Sequence, residues 1–327
     1  MRLPVLFSLA TALCLGLTAS PAPAEDSAPG TVYPSAALDL TCSHSIGGDT
    51  DYNTRLLAAG LKKHFNREVS VTNFPGANGS LAMGQCLEAP NDGYHLLATN
   101  SLALASNEAS GLSDFGYDAF EVVCVFGRQS GENLLVPADS PYTDLSSLIK
   151  ASHEKPHDIV MGVAMGGSSF IAGLILQIDR GSELALKDAG GDAAHRLQEL
   201  LEGRIDVTIA PYSLASPYIA DGQLRSLCTL LPERLSAAPD IPTARESGVE
   251  NLAMTTYYVL LAPKGTPSDI LETLNTACRE IVTHDAEYLK RIEAYNFQKP
   301  YVLDLKESRE SLRKQREDIM TYAPYLQ

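Results

Sequence analysis

Residues 73–94 read NFPGANGSLAMGQCLEAPNDGY. Val69, Val71 and Thr72 ahead of them favour a strand. Pro75-Gly76-Ala77-Asn78-Gly79 cannot continue it, because Pro75 lacks an N–H and glycine readily takes positive φ. Ser80 can then cap a helix through Leu81, Met83 and Leu87, until Pro90-Asn91-Asp92-Gly93 stops it. A strand, a glycine turn and a helix joined in this way leave backbone N–H groups unpaired at the positive end of the helix dipole. Such a junction can hold a carboxylate or a phosphate, and it can equally serve only to reverse the chain. The spacing fits neither Gly-x4-Gly-Lys-Ser/Thr nor Gly-x-Gly-x-x-Gly, so neither nucleotide-binding motif is present here.

N-x-P-G-A-x-G, with Asp92-Gly93-Tyr94 beginning nineteen residues after Asn73, resembles the signature of the tripartite tricarboxylate transporter (Bug-type) solute-binding receptors. The resemblance implies a periplasmic α/β protein of two lobes, a type II-like Venus flytrap, with a small organic carboxylate in the cleft. Working outward, residues 43–51 resemble the family's P-F-x-A-G-G-x-x-D loop. They match at Gly47, Gly48 and Asp51, while Ser43-His44 replaces Pro-Phe and alters one wall of the pocket. Gly166-Gly167-Ser168-Ser169 is similar to S-G-N-G-S-S, matched at Gly167, Ser168 and Ser169; a plain helix cap is the alternative. Stretches 200–206, 222–227, 239–248 and 262–267 resemble L-L-x-G-x-V-D, A-G-K-L-R-A-L, P-D-V-P-T-x-x-E-x-G and A-P-x-G-T-P. The likeness therefore runs in order from about Tyr33 to the end of the chain.

The residues this implies for the ligand are Ser45, Ile46, Gly47, Gly48 and Asp51 in one loop and Ala77, Asn78, Gly79 and Ser80 in the next. Asn100 and Ser101, in a polar exit loop after a strand, join them. The N–H groups of Gly47, Gly48, Asn78 and Gly79 and the Ser80 hydroxyl are expected to hold the carboxylate. Gly166, Gly167, Ser168 and Ser169 face them from the second lobe, and Tyr212 and Tyr257 offer packing surfaces. Many such receptors carry F-D-N after the G-x-V-D strand, where its Asp can meet a ligand's ammonium group. Here Ala210-Pro211-Tyr212 stands instead, so amino acids are expected to bind poorly unless another acid, such as Asp192, substitutes.

Strand and helix signals alternate, which predicts largely parallel sheets. Strands are expected at 38–42, 95–99, 120–126, 134–137, 159–163 and 255–261, with helices at 51–65, 143–151, 192–201, 213–221 and 305–322 among others. One lobe is expected from 33–127 with 232–327, and the other from 128–231. Residues 1–24 form a secretory signal with an Ala22-Pro23-Ala24 cleavage site, and Leu13 before Cys14 argues against lipidation. The net charge of −15 becomes −16 without Arg2, 24 basic residues against 40 acidic. That disfavours nucleic acid and anionic membranes as partners. A monomer working with membrane transporter subunits is expected.

Five cysteines remain after the signal, an odd and widely spaced set with no C-x-x-C. Cys124 and Cys228 are the best candidates for a disulfide, with buried thiols the alternative. No cofactor or metal set emerges: Pro156 separates His153 from His157, and Phe170 stands where Gly-x-Ser-x-Gly needs glycine. Residues 307–317 read as a solvated mixed-charge helix face. A sensor that docks on a membrane kinase would use the same fold, and a secreted hydrolase lacks any supporting motif.

Overall fold

The computed structural model describes residues 33–190 and 193–326; the expected signal segment with Cys14, and also Asp192, lie outside the described residues. In chain order the first elements are β1 (Leu38–Cys42), α1 (Asp49–Phe65), β2 (Val69–Asn73), α2 (Ser80–Leu87), β3 (His95–Asn100), α3 (Ser101–Ala109) and β4 (Phe120–Arg128). There follow β5 (Glu132–Pro137), α4 (Leu145–Glu154), β6 (Val160–Val163), α5 (Ser168–Arg180), β7 (Ala185–Asp188), α6 (Ala193–Leu201), β8 (Val207–Pro211), α7 (Tyr212–Ala220) and β9 (Leu224–Thr229). The last are β10 (Tyr257–Pro263), α8 (Ser268–His284), α9 (Ala286–Glu293) and α10 (Leu305–Met320).

The strands make two sheets, in the orders β2-β1-β3-β10-β4 and β7-β6-β8-β5-β9. Each is mixed rather than largely parallel. β1 runs parallel to β2 and β3, whereas β10 is antiparallel to β3 and β4. In the second sheet β6 runs parallel to β7 and β8, whereas β5 is antiparallel to β8 and β9. The antiparallel strand in each case is the one that returns from the opposite sheet, β10 to the first and β5 to the second.

Both faces of each sheet are covered, and period-two alternation sorts the side chains between them. Leu38, Leu40, Leu96, Ala98, Phe126 and Leu260 pack with residues of α1 and α8. Leu97, Val125, Val259 and Leu261 pack on the other face with α2, α3 and α10. In the second sheet Leu134, Met161, Val163 and Ile209 meet α4 and α5, and Leu135, Ala210 and Leu224 meet α6 and α7.

The second core also takes Ala244, Val249, Leu252 and Met254, with Ile319 and Tyr322 from the chain's last turns. It takes Leu102, Ala105 and Ala109 of α3 as well, so α3 lies against both cores. This helix stands where a polar exit loop was expected. Eight of its nine residues are buried, including Ser101, Ser106 and Asn107, which erases the one-sided apolar stripe that marks a helix in sequence.

The five described cysteines are free and buried. Of the two alternatives for Cys124 and Cys228, the buried thiols hold: Cys124 belongs to the core of the first sheet beside Cys278, and Cys228 to that of the second. Burial pushes the Cys86 and Cys228 thiols up to about 12, which keeps them protonated and inert at neutral pH.

Candidate functional site

Cys42 at the end of β1 is in register with Asn73 of β2 and Ala98 of β3. The carboxyl ends of three parallel strands thus lie side by side, each feeding a helix start, which is the edge where open α/β sheets bind ligands. The N-cap of α3 is Asn100, whose Oδ1 accepts the Ala103 N–H at 2.7 Å. The N-caps of α1 and α2 are Gly48 and Gly79. Having no side chain, they give those helix starts no side-chain acceptor of their own.

The turn before α2 holds four successive residues at positive φ: Gly76 at 143°, Ala77 at 46°, Asn78 at 51° and Gly79 at 85°. For Ala77 and Asn78 this conformation costs about 1–2 kcal/mol each. It persists because the turn is bolted to α3. Asn78 Nδ2 donates to Asn107 Oδ1 at 2.9 Å, and Asn107 Nδ2 returns a bond to the Asn78 carbonyl at 3.1 Å. Gly79 must be glycine on two counts, since a Cβ there would also sit 3.1 Å from Ser43 Cβ. Its N–H donates to the Gly76 carbonyl at 2.9 Å, and that of Ser80 to Ala77. Gly79 is therefore not the open donor expected from the sequence. The Ser80 hydroxyl likewise has a protein partner, the Leu112 carbonyl at 3.3 Å.

In the first loop Ser45, Ile46, Gly47 and Gly48 are exposed, and Asp51 is buried. Asp51 fastens the loop from below. Its carboxylate accepts the Gly47 N–H at 3.0 Å and Asn73 Nδ2 at 2.8 Å, and pairs with Arg55 at 2.9 Å. Burial alone would raise its pKa; those three partners outweigh burial and bring it below the usual carboxylate value. In the structure Asp51 and the Gly47 N–H support the loop through each other.

His44 stands at the wall that departs from the family pattern. Its Nδ1 meets Ser43 Oγ at 2.7 Å and its Nε2 meets Asn100 Nδ2 at 3.0 Å. Asn100 Nδ2 can only donate, its Oδ1 being fixed by the Ala103 N–H, so Nε2 accepts and Nδ1 carries the proton. Burial lowers its pKa to about 4, leaving the ring neutral near pH 7.

The facing wall is the edge of the second sheet where β6 and β8 end and β5 begins. α5 starts there behind Gly166, at φ 72°, and its N-cap is again a glycine, Gly167. Ser169 turns inward, its Oγ accepting the Ala164 N–H at 2.8 Å. That bond orients the hydroxyl at the start of α5 and does not use its own proton. Ser168 is half-buried and donates to Glu132 Oε1 at 3.2 Å.

Several contacts bring the two walls together. A Cβ on Gly166 would lie 3.5 Å from Leu112 Cδ1. The Tyr212 ring is 5.3 Å from that of Phe297, and Gln129 Nε2 is 3.4 Å from Asp49 Oδ2. Asp49 also accepts from Tyr295 and Asn296, at 2.9 and 2.8 Å, tying the 295–297 loop to the start of α1.

Two expected residues lie elsewhere. The buried Ser101 hydroxyl accepts the Tyr257 N–H at 3.0 Å. Tyr257 stacks on Tyr301 at 5.7 Å and lines a cavity of about 460 Å³ with Leu102, Ile175, Met254, Gln315 and Tyr322. That cavity is formed by α3, α5, α10 and the 245–257 stretch, and the glycine turns do not line it. Glu132 and Phe297 carry no motif that would mark them in sequence; only strand register and the packing of the walls reveal them.

A family model described as "Tripartite tricarboxylate transporter family receptor" matches residues 54–309. A Cupriavidus necator protein described as "UPF0065 protein in gbd 5'region" is 29% identical over 283 residues, covering 83% of this chain and 81% of the relative. Among solved structures, MatC from Rhodopseudomonas palustris with bound malate has a TM-score of 0.72 at 22% identity, covering 90% of this chain and 100% of that one. Another R. palustris protein, solved with adipate, has a TM-score of 0.71 at 22% identity, covering 90% and 99%. These likenesses establish the two-lobed periplasmic binding protein fold.

Proposed function

This chain belongs to the tripartite tricarboxylate transporter receptor family, and from that premise we propose that it captures a small organic carboxylate and hands it to membrane transporter subunits. One observation carries the reading: α1 and α2 on one wall and α5 on the other all begin behind a glycine N-cap. Backbone N–H groups at those starts, reinforced by the helix dipoles, replace the water around a carboxylate. A hydrogen bond to a charged group contributes about 1.5–3 kcal/mol, so a few of them reach micromolar affinity, about −8 kcal/mol. Local donors are needed because the chain without its signal carries −16 overall. The malate and adipate held by two structural neighbours support the same ligand class.

The donors differ from the list read in sequence. We place them at the first helical residues, Asp49 and Thr50, Leu81 and Ala82, and Ser168, with the exposed Ile46 and Asn78 at the rim and Tyr212 packing from the side. The lobes are 33–127 with 232–327, and 128–231, and they close on the ligand by swinging about the crossings near 128 and 231. The mature chain begins after Ala24, works in the periplasm as a monomer, and binds its ligand without converting it. A thermal-shift screen of small mono-, di- and tricarboxylates on the mature protein tests this. At least one acid should raise the midpoint by several degrees at millimolar concentration, as expected for a ligand of the native state alone. A panel without any shift rejects the reading.

A further inference from the structure

Among the described residues, Glu132 is the carboxylate that hydrogen-bonds a donor of the second wall, Ser168. It opens β5 directly opposite Pro211 of β8, so both side chains project from the same face of the sheet at its cleft edge. Next to Pro211 the chain turns into α7 at Tyr212, whose N–H donates to the Gly131 carbonyl at 3.0 Å. Across from it, Ser168 at the start of α5 donates to Glu132 Oε1 at 3.2 Å. Ser168, Glu132 and Tyr212 therefore form one half-buried row.

We infer that Glu132 selects ligands that carry a protonated nitrogen beside their carboxylate, with α-amino acids the simplest class. A wall of N–H and hydroxyl donors suits an anion, and a carboxylate in the middle of that wall repels one unless the ligand brings a positive charge to it. An ammonium group at Glu132 removes the repulsion and gives the acid's remaining lone pairs a charged donor. Without such a partner, burying the ammonium would be prohibitive. Arg196 of the same lobe also attracts the Glu132 charge while donating to the Ile209 carbonyl at 3.4 Å, and a ligand's ammonium group would share that carboxylate with it. The acid missing from 210–212, from which poor binding of amino acids is expected, is thus supplied by the neighbouring strand.

This inference rests on the carboxylate reading above, and paired ligands separate the two. Calorimetry compares aspartate with succinate, glutamate with glutarate, and phenylalanine with 3-phenylpropanoate, on the wild-type protein and on Glu132→Gln. In the wild type at least one amino acid should bind about tenfold to a hundredfold more tightly than its deaminated partner. In Glu132→Gln that preference should shrink to within about threefold, with the deaminated acid unchanged or tighter. Equal or tighter binding of every deaminated acid by the wild type overturns the inference, as does a preference that survives in Glu132→Gln. The wild-type comparison stands even if the variant fails to fold. Binding of none of the six acids overturns this inference, and if the broader acid screen is also silent, the carboxylate reading falls with it.

Discussion

At the scale of single residues, the site depends on polar side chains that never meet the ligand. Asp51 gathers the Gly47 N–H, Asn73 and Arg55 under the first loop. Asp51→Ala leaves those groups unpaired and should destabilise the protein by about 2–3 kcal/mol, read from chemical unfolding. Its pKa is depressed below the ordinary 3.8. Its contribution is therefore complete above that value and is lost as pH falls through the lowered one. His44 acts in a higher window. With its pKa lowered from 6.5 to about 4 by burial, the unfolded chain takes up a proton there that the folded one refuses. Stability should fall as pH drops from 6.5 towards 4, and His44→Phe should flatten that slope. An unaltered slope in the variant would contradict the buried, neutral ring. In sequence Asp51 and His44 were visible only as a match and a mismatch, because the partners that define their roles come from β2 and β3.

At the scale of elements, the strand-turn-helix units are the most legible part of the chain. Pro75, Gly76 and Gly79 punctuate so strongly that a helix over 80–87 follows from them alone, and α2 has those bounds. Which N–H groups stay open was not legible, since the turn closes on itself through Gly79 and Ser80. α3 was hidden because its polar residues are buried between two cores, and Glu132 because the start of β5 and its register with β8 are properties of the sheet. Glycine N-caps imply a trade between stability and binding. Gly48 has φ −78° and ψ 168°, and a Cβ there would make only an ordinary 3.5 Å contact with the Ser45 carbonyl. Gly48→Ser should cap α1, raise stability by a few tenths of a kcal/mol, and weaken carboxylate binding several-fold, measured by calorimetry on a folded variant. Gly79→Ala should do the opposite to the fold, lowering stability by about 1–2 kcal/mol through its φ of 85°.

At the scale of the whole molecule, two mixed five-stranded sheets each have their own core, and α3 lies against both. The alternation of strand and helix signals foretold the α/β class, and β10 and β5, which return from the opposite sheet, make each sheet mixed. The central claim is that one carboxylate is held at once by helix starts on both walls. Amide NMR during a titration tests it most directly, using the tightest acid found by thermal shift. The Asp49, Thr50, Leu81, Ala82 and Ser168 resonances should all move, with a single dissociation constant and one ligand per chain. Shifts confined to Met254, Tyr257, Gln315 and Tyr322 around the separate cavity, with the helix starts unmoved, would contradict it.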